Sequence, residues 1–400
     1  MDYGKKRWVT LVVSCIINII IGTGYAWSVF AGPWAEALKV ESAALAFSVC
    51  NAVGFITVIL GGRINDALGP KWVIFVGGIM FGGGALIAGF SPNLTFLIIF
   101  YGVVLGLGMG LVYSCTIGNT VKFFPDKKGM AGGLTTATYG LGSVILAPVA
   151  KAMVDGMGVM STFKVLGIVY LIVICVGAFL VTRCPEGYTP EGWVPPAPAA
   201  GTKKVEDKTW KQMLADPIFY VMFIMIVCGA FLGLMMISQC SAIATSIGIG
   251  AAATVVSVLA LCNALGRVLC GVLSDKLGSV NTLTLALCMA VIGLGLVYFA
   301  LGKSAVVMFV IGICFVGFCF GAYMGVYPGF TSNQFGVKNS GVNYGIMFIG
   351  FSLAGIIGPM IMTKMYAATG SYQPPILVAL ALAVLGIILT FVYRAMSKEK

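Results

Sequence analysis

Twelve apolar segments, each about as long as a bilayer-spanning helix, run through this chain: 8–30, 42–62, 72–90, 94–120, 130–152, 162–182, 217–242, 249–273, 281–301, 305–330, 341–363 and 374–395. Crossing the hydrocarbon takes about 20 residues, and the Gly and Pro scattered through these segments are tolerated in membrane helices. Composition agrees, with 60% hydrophobic and only 9% charged residues where soluble chains carry about 25% charge. The opening Lys5-Lys6-Arg7 before an apolar run resembles a signal peptide. Eleven similar segments follow it, so it reads as a first, uncleaved span. The expected fold is an all-α membrane protein with twelve transmembrane helices.

Charge placement gives the orientation. With both termini cytoplasmic, inner segments hold 18 Lys/Arg, outer segments hold five (Lys39, Lys151, Lys164, Lys303, Lys364), and Arg267 is intramembrane. That asymmetry follows the positive-inside rule. The net charge of +11 therefore reports topology and contact with anionic lipid headgroups, not nucleic acid. Of twelve Cys, eleven fall within spans and Cys184 at a span end, with no C-x-x-C or metal-ligand spacing; they read as small packing residues, and neither metal nor cofactor is expected.

The chain divides into two halves that repeat each other. Residues 1–183 and 217–400 each carry six spans, and the connector 184–216 holds five prolines and the run Lys203-Lys-Val-Glu-Asp-Lys208. It reads as a cytoplasmic linker, with a short amphipathic helix near Trp210–Leu214. After span 2 comes Gly62-Arg-Ile-Asn-Asp66-Ala-Leu-Gly69, followed by Lys71, and after span 8 comes Gly271-Val-Leu-Ser-Asp275-Lys-Leu-Gly278, the same pattern 209 residues later. Pro148 of span 5 and Pro359 of span 11 stand 211 apart. Six-span halves repeated in parallel are an architecture of secondary transporters, whose sites lie near the midplane. The run Gly102-Val-Val-Leu-Gly106-Leu-Gly108-Met-Gly110 superficially matches a phosphate-binding loop. No strand precedes it, so these glycines are expected to let helices approach closely.

Arg267 is the only charged residue that any span carries well inside its apolar stretch. An arginine there costs at least ~2.5–3.5 kcal/mol on insertion scales. No Asp, Glu or His stands in the spans to pair with it. A guanidinium without an internal counter-ion implies an anion supplied from outside, as substrate. Asn263 lies one helical turn earlier on the same face. The competing reading is a simple anchor, since Asp275 is about 12 Å away along the helix and an arginine can snorkel to the surface. The otherwise unexplained Asn263/Arg267 face favours the cavity.

The paired loops resemble the loop signature of the major facilitator superfamily, and the duplicated twelve-span layout covers the whole chain. Within it, Gly22-Thr-Gly-Tyr25-Ala-Trp27-Ser-Val-Phe30, Asn263-x3-Arg267 and Asn343-Tyr-Gly345 resemble the oxalate/formate antiporter family and its monocarboxylate-porter relatives. The resemblance implies alternating access and gives Asp66, Arg63, Lys71 and Asp275 the role of gating charges. In relatives that exchange oxalate, a Lys in span 11 joins the span-8 Arg; by register, Phe351 stands there in this chain. One fixed cation balances a monoanion, whereas a dianion enters with uncompensated charge at a cost of several kcal/mol. A monocarboxylate such as lactate or pyruvate is therefore expected in place of oxalate. Eukaryotic monocarboxylate porters carry Asp where Asn263 stands, so proton symport here needs another acid, such as Glu36, Glu41, Asp155 or the substrate itself. Anion exchange needs none.

Polar-tipped aromatics in the expected cavity-lining helices are Tyr25, Tyr113, Tyr139, Tyr323, Tyr327 and Tyr344. Tyr323 and Tyr327, four apart, share a face. Phenols donate to a carboxylate while their rings enclose a small apolar body; the alternative is that each is a packing or interface aromatic. An intramembrane enzyme lacks any His, Asp or Glu within the spans to work with, and a cation or drug exporter lacks the carboxylate it would want. A non-transporting sensor is the competitor from another class, and the sequence shows no added soluble domain for it. The expected partners are a small monocarboxylate, protons where transport is proton-coupled, and membrane lipid, with the protein acting as a monomer in the inner membrane of a prokaryote.

Overall fold

The computed structural model describes residues 3–193, 206–250, 252–303 and 305–398, with the side chains of Tyr25, Ser28, Ala44, Phe55, Ala252, Ala253 and Lys398 outside that description. The order is α1 (Tyr3–Ile21), α2 (Trp27–Leu38), α3 (Ala44–Leu68), α4 (Pro70–Ala88), α5 (Leu94–Leu97), α6 (Gly106–Phe123), α7 (Lys128–Leu180) and α8 (Trp210–Leu214). It continues with α9 (Pro217–Ser246), α10 (Ala252–Leu277), α11 (Ser279–Lys303), α12 (Val306–Phe335), α13 (Ser340–Thr369) and α14 (Gln373–Lys398). A 3₁₀ turn, Gly22–Ala26, joins α1 to α2, and a π-helical turn, Ile98–Leu105, joins α5 to α6. The described residues contain no strand.

Among the described residues, eleven helical stretches are long and apolar enough to cross a membrane. The count falls one short of the sequence expectation because α7, 53 residues long, joins two spans through a backbone break at Gly158 (φ 77°, ψ 161°). Taken as two, it restores twelve spans. The short helix expected in the linker is α8, opened by a reciprocal cap in which Gln212 N–H donates to the Thr209 hydroxyl and Thr209 N–H to the Gln212 side chain; residues 194–205 of the linker lie outside the described residues.

Contacts group the chain into two compact units. The first holds Met1–Asp126, Thr138–Val194 and Val337–Gly345; the second holds Lys127–Ala137, Pro195–Gly336 and Ile346–Lys400. The first turns of α7 thus belong to the second unit, and those of α13 to the first.

In the first unit the glycines of span 4 act by absence. A Cβ on Gly106 would stand 2.6 Å from the Cys50 carbonyl of α3, and one on Gly108 would crowd Gly77 and Phe81 of α4. The run Gly102–Gly110 is therefore a two-sided packing surface. A polar seam joins α1 to α6. Thr10, Ser14 and Asn18 recur every fourth residue and so share a face; Asn18 Nδ2 donates to Thr116 Oγ1 at 3.0 Å and Thr120 Oγ1 to Ser14 Oγ at 3.2 Å. All five are almost fully buried. Such bonds between membrane helices contribute about 0.6–2 kcal/mol each, so Asn18→Leu should lower stability by about 1 kcal/mol, read as an earlier thermal transition in detergent.

Where the 3₁₀ and π turns meet, aromatic rings close a recess. It is lined by residues including Thr23, Phe30, Tyr101, Phe163 and Tyr170; Tyr101 packs on Trp27 (centroids 4.5 Å) and Phe163 on Phe30 (4.9 Å). At the edge of this unit Cys184 is buried and desolvation pushes its thiol up to about 12, in keeping with a packing cysteine.

The second unit is built on the same device. Gly229 and Gly233 of α9 lie beneath the rings of Tyr323 and Phe320 of α12, and Gly321 and Gly325 on α12's other side abut the backbone of Asn263 and Arg267 on α10.

Candidate functional site

Arg267 is 3% exposed and Asn263 9%. Four apart on α10, they sit one turn from each other as the sequence spacing requires. Arg267 Nε donates to Asn263 Oδ1 at 3.1 Å, and Nη1 to the Thr136 carbonyl of α7 at 2.5 Å. Both acceptors are neutral. Among the described residues the ion pairs are Arg7–Asp126, Lys122–Asp66, Lys151–Asp155 and Lys208–Asp216, so no carboxylate meets Arg267. A guanidinium carries five donors, and two neutral bonds orient it without cancelling its charge. The backbone around it is tightly held. A Cβ at Gly321 would come within 2.9 Å of Arg267 N, and Cβ atoms at Gly325 and Gly133 would collide with the Arg267 carbonyl.

The predicted aromatics fall into separate groups. Tyr323 and Tyr327 stack with centroids 5.5 Å apart, and Tyr327 donates to the Met222 carbonyl at 2.8 Å. Each stands two residues, about 200° of helix, beyond Gly321 and Gly325. That turns them toward α9, away from the side of α12 that meets Asn263 and Arg267. Tyr113 and Tyr139 pair within the first unit at 4.8 Å, with Tyr139 Oη 3.4 Å from Met109 Sδ. Tyr344 is buried near the start of α13. The Tyr25 side chain lies outside the described residues. Phe351 stacks on Phe348 at 4.6 Å, with Phe320 at 6.0 Å, in a group of three aromatic rings.

The loop aspartates have matching geometry. Asp275 accepts from Gly129 N–H at 2.7 Å and Met130 N–H at 2.8 Å, the opening amides of α7. Asp66 accepts from Gly341 N–H at 3.4 Å and Val342 N–H at 3.1 Å, the opening amides of α13. Opening amides have no intrahelical partner and sit at the positive end of the dipole, so a carboxylate belongs there. Each motif closes on a glycine with positive φ, Gly69 at 87° and Gly278 at 82°, a conformation that a Cβ disfavours. Arg63 is exposed. Lys71 Nζ lies over the rings of Phe179 (4.5 Å) and Trp72 (5.4 Å).

Sequence reasoning passes over Lys122, whose Nζ meets Asp66 Oδ1 at 2.6 Å, and Thr136, which acts through its backbone. Lys122 has a readable signal, a lone cation at the end of span 4; a carbonyl has none. Lys122→Met should cost about 1.5–3 kcal/mol, since Asp66 keeps its two amide donors and loses only the cation. A thermal shift on the purified variant measures it.

The exposed carboxylates are equally informative. Glu36, Glu41 and Asp155 all lie at the surface, Asp155 within 3.0 Å of Lys151.

The sequence profile of the Major Facilitator Superfamily matches residues 8–359 and 239–400. The chain is 30% identical to the MFS-type transporter YhjX of Escherichia coli over 89% of its own length and 87% of the relative's. It is 29% identical to the oxalate:formate antiporter of Oxalobacter formigenes over 88% and 83%, and 26% identical to human monocarboxylate transporter 12 over 81% and 67%. Among solved structures, a single-residue variant of the Escherichia coli fucose:proton symporter FucP superposes with a TM-score of 0.74 at 14% identity, covering 98% of this chain and 99% of that one. Long apolar helices, paired loop motifs and a profile match along almost the whole length lead to one assignment: this chain is a membrane-spanning transporter of the Major Facilitator Superfamily.

Proposed function

We propose that the protein is a secondary transporter of small monocarboxylates of the lactate and pyruvate type, working by alternating access of two six-helix halves, 1–183 and 217–400. The observation that carries this reading is Arg267, a buried cation whose hydrogen-bond partners are the neutral Asn263 side chain and Thr136 carbonyl. A carboxylate supplies the missing charge and meets a guanidinium with two parallel bonds. Asn263 orients the guanidinium, and Phe351, in the register where oxalate exchangers place a second cation, keeps the site singly charged. The names of two relatives, an oxalate:formate antiporter and a monocarboxylate transporter, support a small organic anion.

Coupling follows from the same inventory. Glu36, Glu41 and Asp155 are exposed, and Asn263 cannot carry a proton. Anion exchange, or symport in which the proton travels with the substrate–Arg267 pair, therefore accounts for the carboxylates present. Neutralising the three one at a time should leave pH-gradient-driven accumulation in proteoliposomes within about twofold of wild type; a collapse on any one substitution identifies a dedicated proton carrier. Lys/Arg placement supports cytoplasmic termini and an inner-membrane location. Oxalate/formate-type exchange is the second reading, favoured by 29% identity to that antiporter across 83% of its length. Uptake by reconstituted protein, screened across short mono- and dicarboxylates, tests both.

A further inference from the structure

The grip of α10 on α7 and that of α3 on α13 are copies of one another. Gly62 and Asp66 on α3 stand 209 residues before Gly271 and Asp275 on α10, and Gly129, Met130 and Gly133 on α7 stand 212 before Gly341, Val342 and Gly345 on α13. In each copy the aspartate takes two opening amides of the gripped helix. In each, glycines bring the two backbones together: Gly129 meets the Gly271 carbonyl and Gly133 the Arg267 carbonyl, while a Cβ on Gly341 would stand 2.8 Å from the Gly62 carbonyl and one on Gly345 3.2 Å from the Val58 carbonyl. Arg267 thus holds in one copy the place that Val58 holds in the other, again 209 residues apart.

The copies differ in what that residue adds. Val58 is buried and apolar and brings no polar group to its grip. Arg267 adds a third attachment to α7, Nη1 to the Thr136 carbonyl, using the guanidinium assigned above to the substrate.

We propose that Arg267 makes one of the two grips responsive to substrate: a bound monocarboxylate draws the guanidinium off the Thr136 carbonyl and loosens the hold of α10 on the first turns of α7, while the hold of α3 on α13 has no such input. The physical basis is an exchange of partners. A bond from a guanidinium to a carboxylate is roughly twice as strong as one to a neutral acceptor. A carboxylate meeting the guanidinium with both oxygens re-aims the plane now set by Asn263 and Thr136. The carbonyl is the partner given up, and α7 is left with Asp275 and the glycine contacts. This rests on the reading of Arg267 as the anion's ligand.

Hydrogen exchange on the full-length purified protein, followed in peptides covering 127–137 and 337–345, tests it. Saturating lactate should speed exchange in the first peptide about tenfold, the loss of one bond to a charged group, and leave the second nearly unchanged. In Arg267→Met the first peptide should exchange fast without lactate and ignore its addition. Should lactate bind, as judged by thermal stabilisation, while 127–137 exchanges no faster or the two peptides speed up alike, the coupling is overturned and the anion site stands. Unchanged exchange of 127–137 in Arg267→Met without lactate also overturns it. If wild type shows no binding of lactate at all, the anion reading falls first and this inference with it.

Discussion

Arg267→Gln should bring uptake of lactate-like substrates in proteoliposomes down by about 100-fold or more while the protein still folds. The side chain is the only charged group well inside the apolar spans, and removing one member of a buried, hydrogen-bonded charge pair costs about 2–5 kcal/mol of binding. Folding should survive because the packing at this position is made by backbone: Gly133, Gly321 and Gly325 all press against main-chain atoms of Arg267, and these contacts do not depend on the side chain. Arg267→Lys should be nearly as poor. An ammonium is a point charge without the planar fork, and it cannot meet both carboxylate oxygens with two parallel bonds while it also donates to Asn263. Uptake measured beside a thermal-shift titration separates lost binding from lost fold. Uptake at the wild-type level in Arg267→Gln would return Arg267 to the role of a snorkelling anchor.

Phe351→Lys should shift selectivity from monoanion toward dianion. A second fixed cation a few Å from a carboxylate contributes on the order of 4 kcal/mol at an effective dielectric of 20, before desolvation. A dianion gains from it more than a monoanion does. The new ammonium would replace a ring stacked with Phe348 and Phe320, where aromatic faces attract a cation but offer no carboxylate, so the unliganded variant should melt earlier than wild type. Competition between lactate and oxalate on the purified variant measures the outcome: the preference should move toward oxalate by at least about tenfold. A variant that keeps the wild-type preference would show that position 351 does not face the anion.

Much of the fold is legible in the sequence because its signals are dense. Twelve apolar stretches and a motif repeated at 209 residues leave little choice of architecture, and spacing alone marks the glycines of span 4 as contact points. The helix count differs for one reason: α7 is two spans that abut directly at the Gly158 break. At the site, the pairing of Asn263 with Arg267 follows directly from four-residue spacing. The tyrosines show where such reasoning stops. Spacing places Tyr323 and Tyr327 on a common face but does not say which neighbour that face meets; the glycines at 321 and 325 take α12's contact with α10 and turn the rings to α9. The seam Thr10, Ser14 and Asn18 has a regular polar spacing, but small neutral groups stand out less in an apolar run than a charge does. The Thr136 carbonyl and the opening amides of α7 and α13 have no signature at all, since every residue carries the same backbone groups.

Isothermal titration of purified wild-type protein with lactate, with oxalate as competitor, tests the single-cation site most directly. Lactate should bind saturably, oxalate should displace it only weakly, and the uncharged lactamide should not bind. Tighter binding of oxalate than of lactate, or equal binding of lactamide, would contradict a site built on one fixed charge.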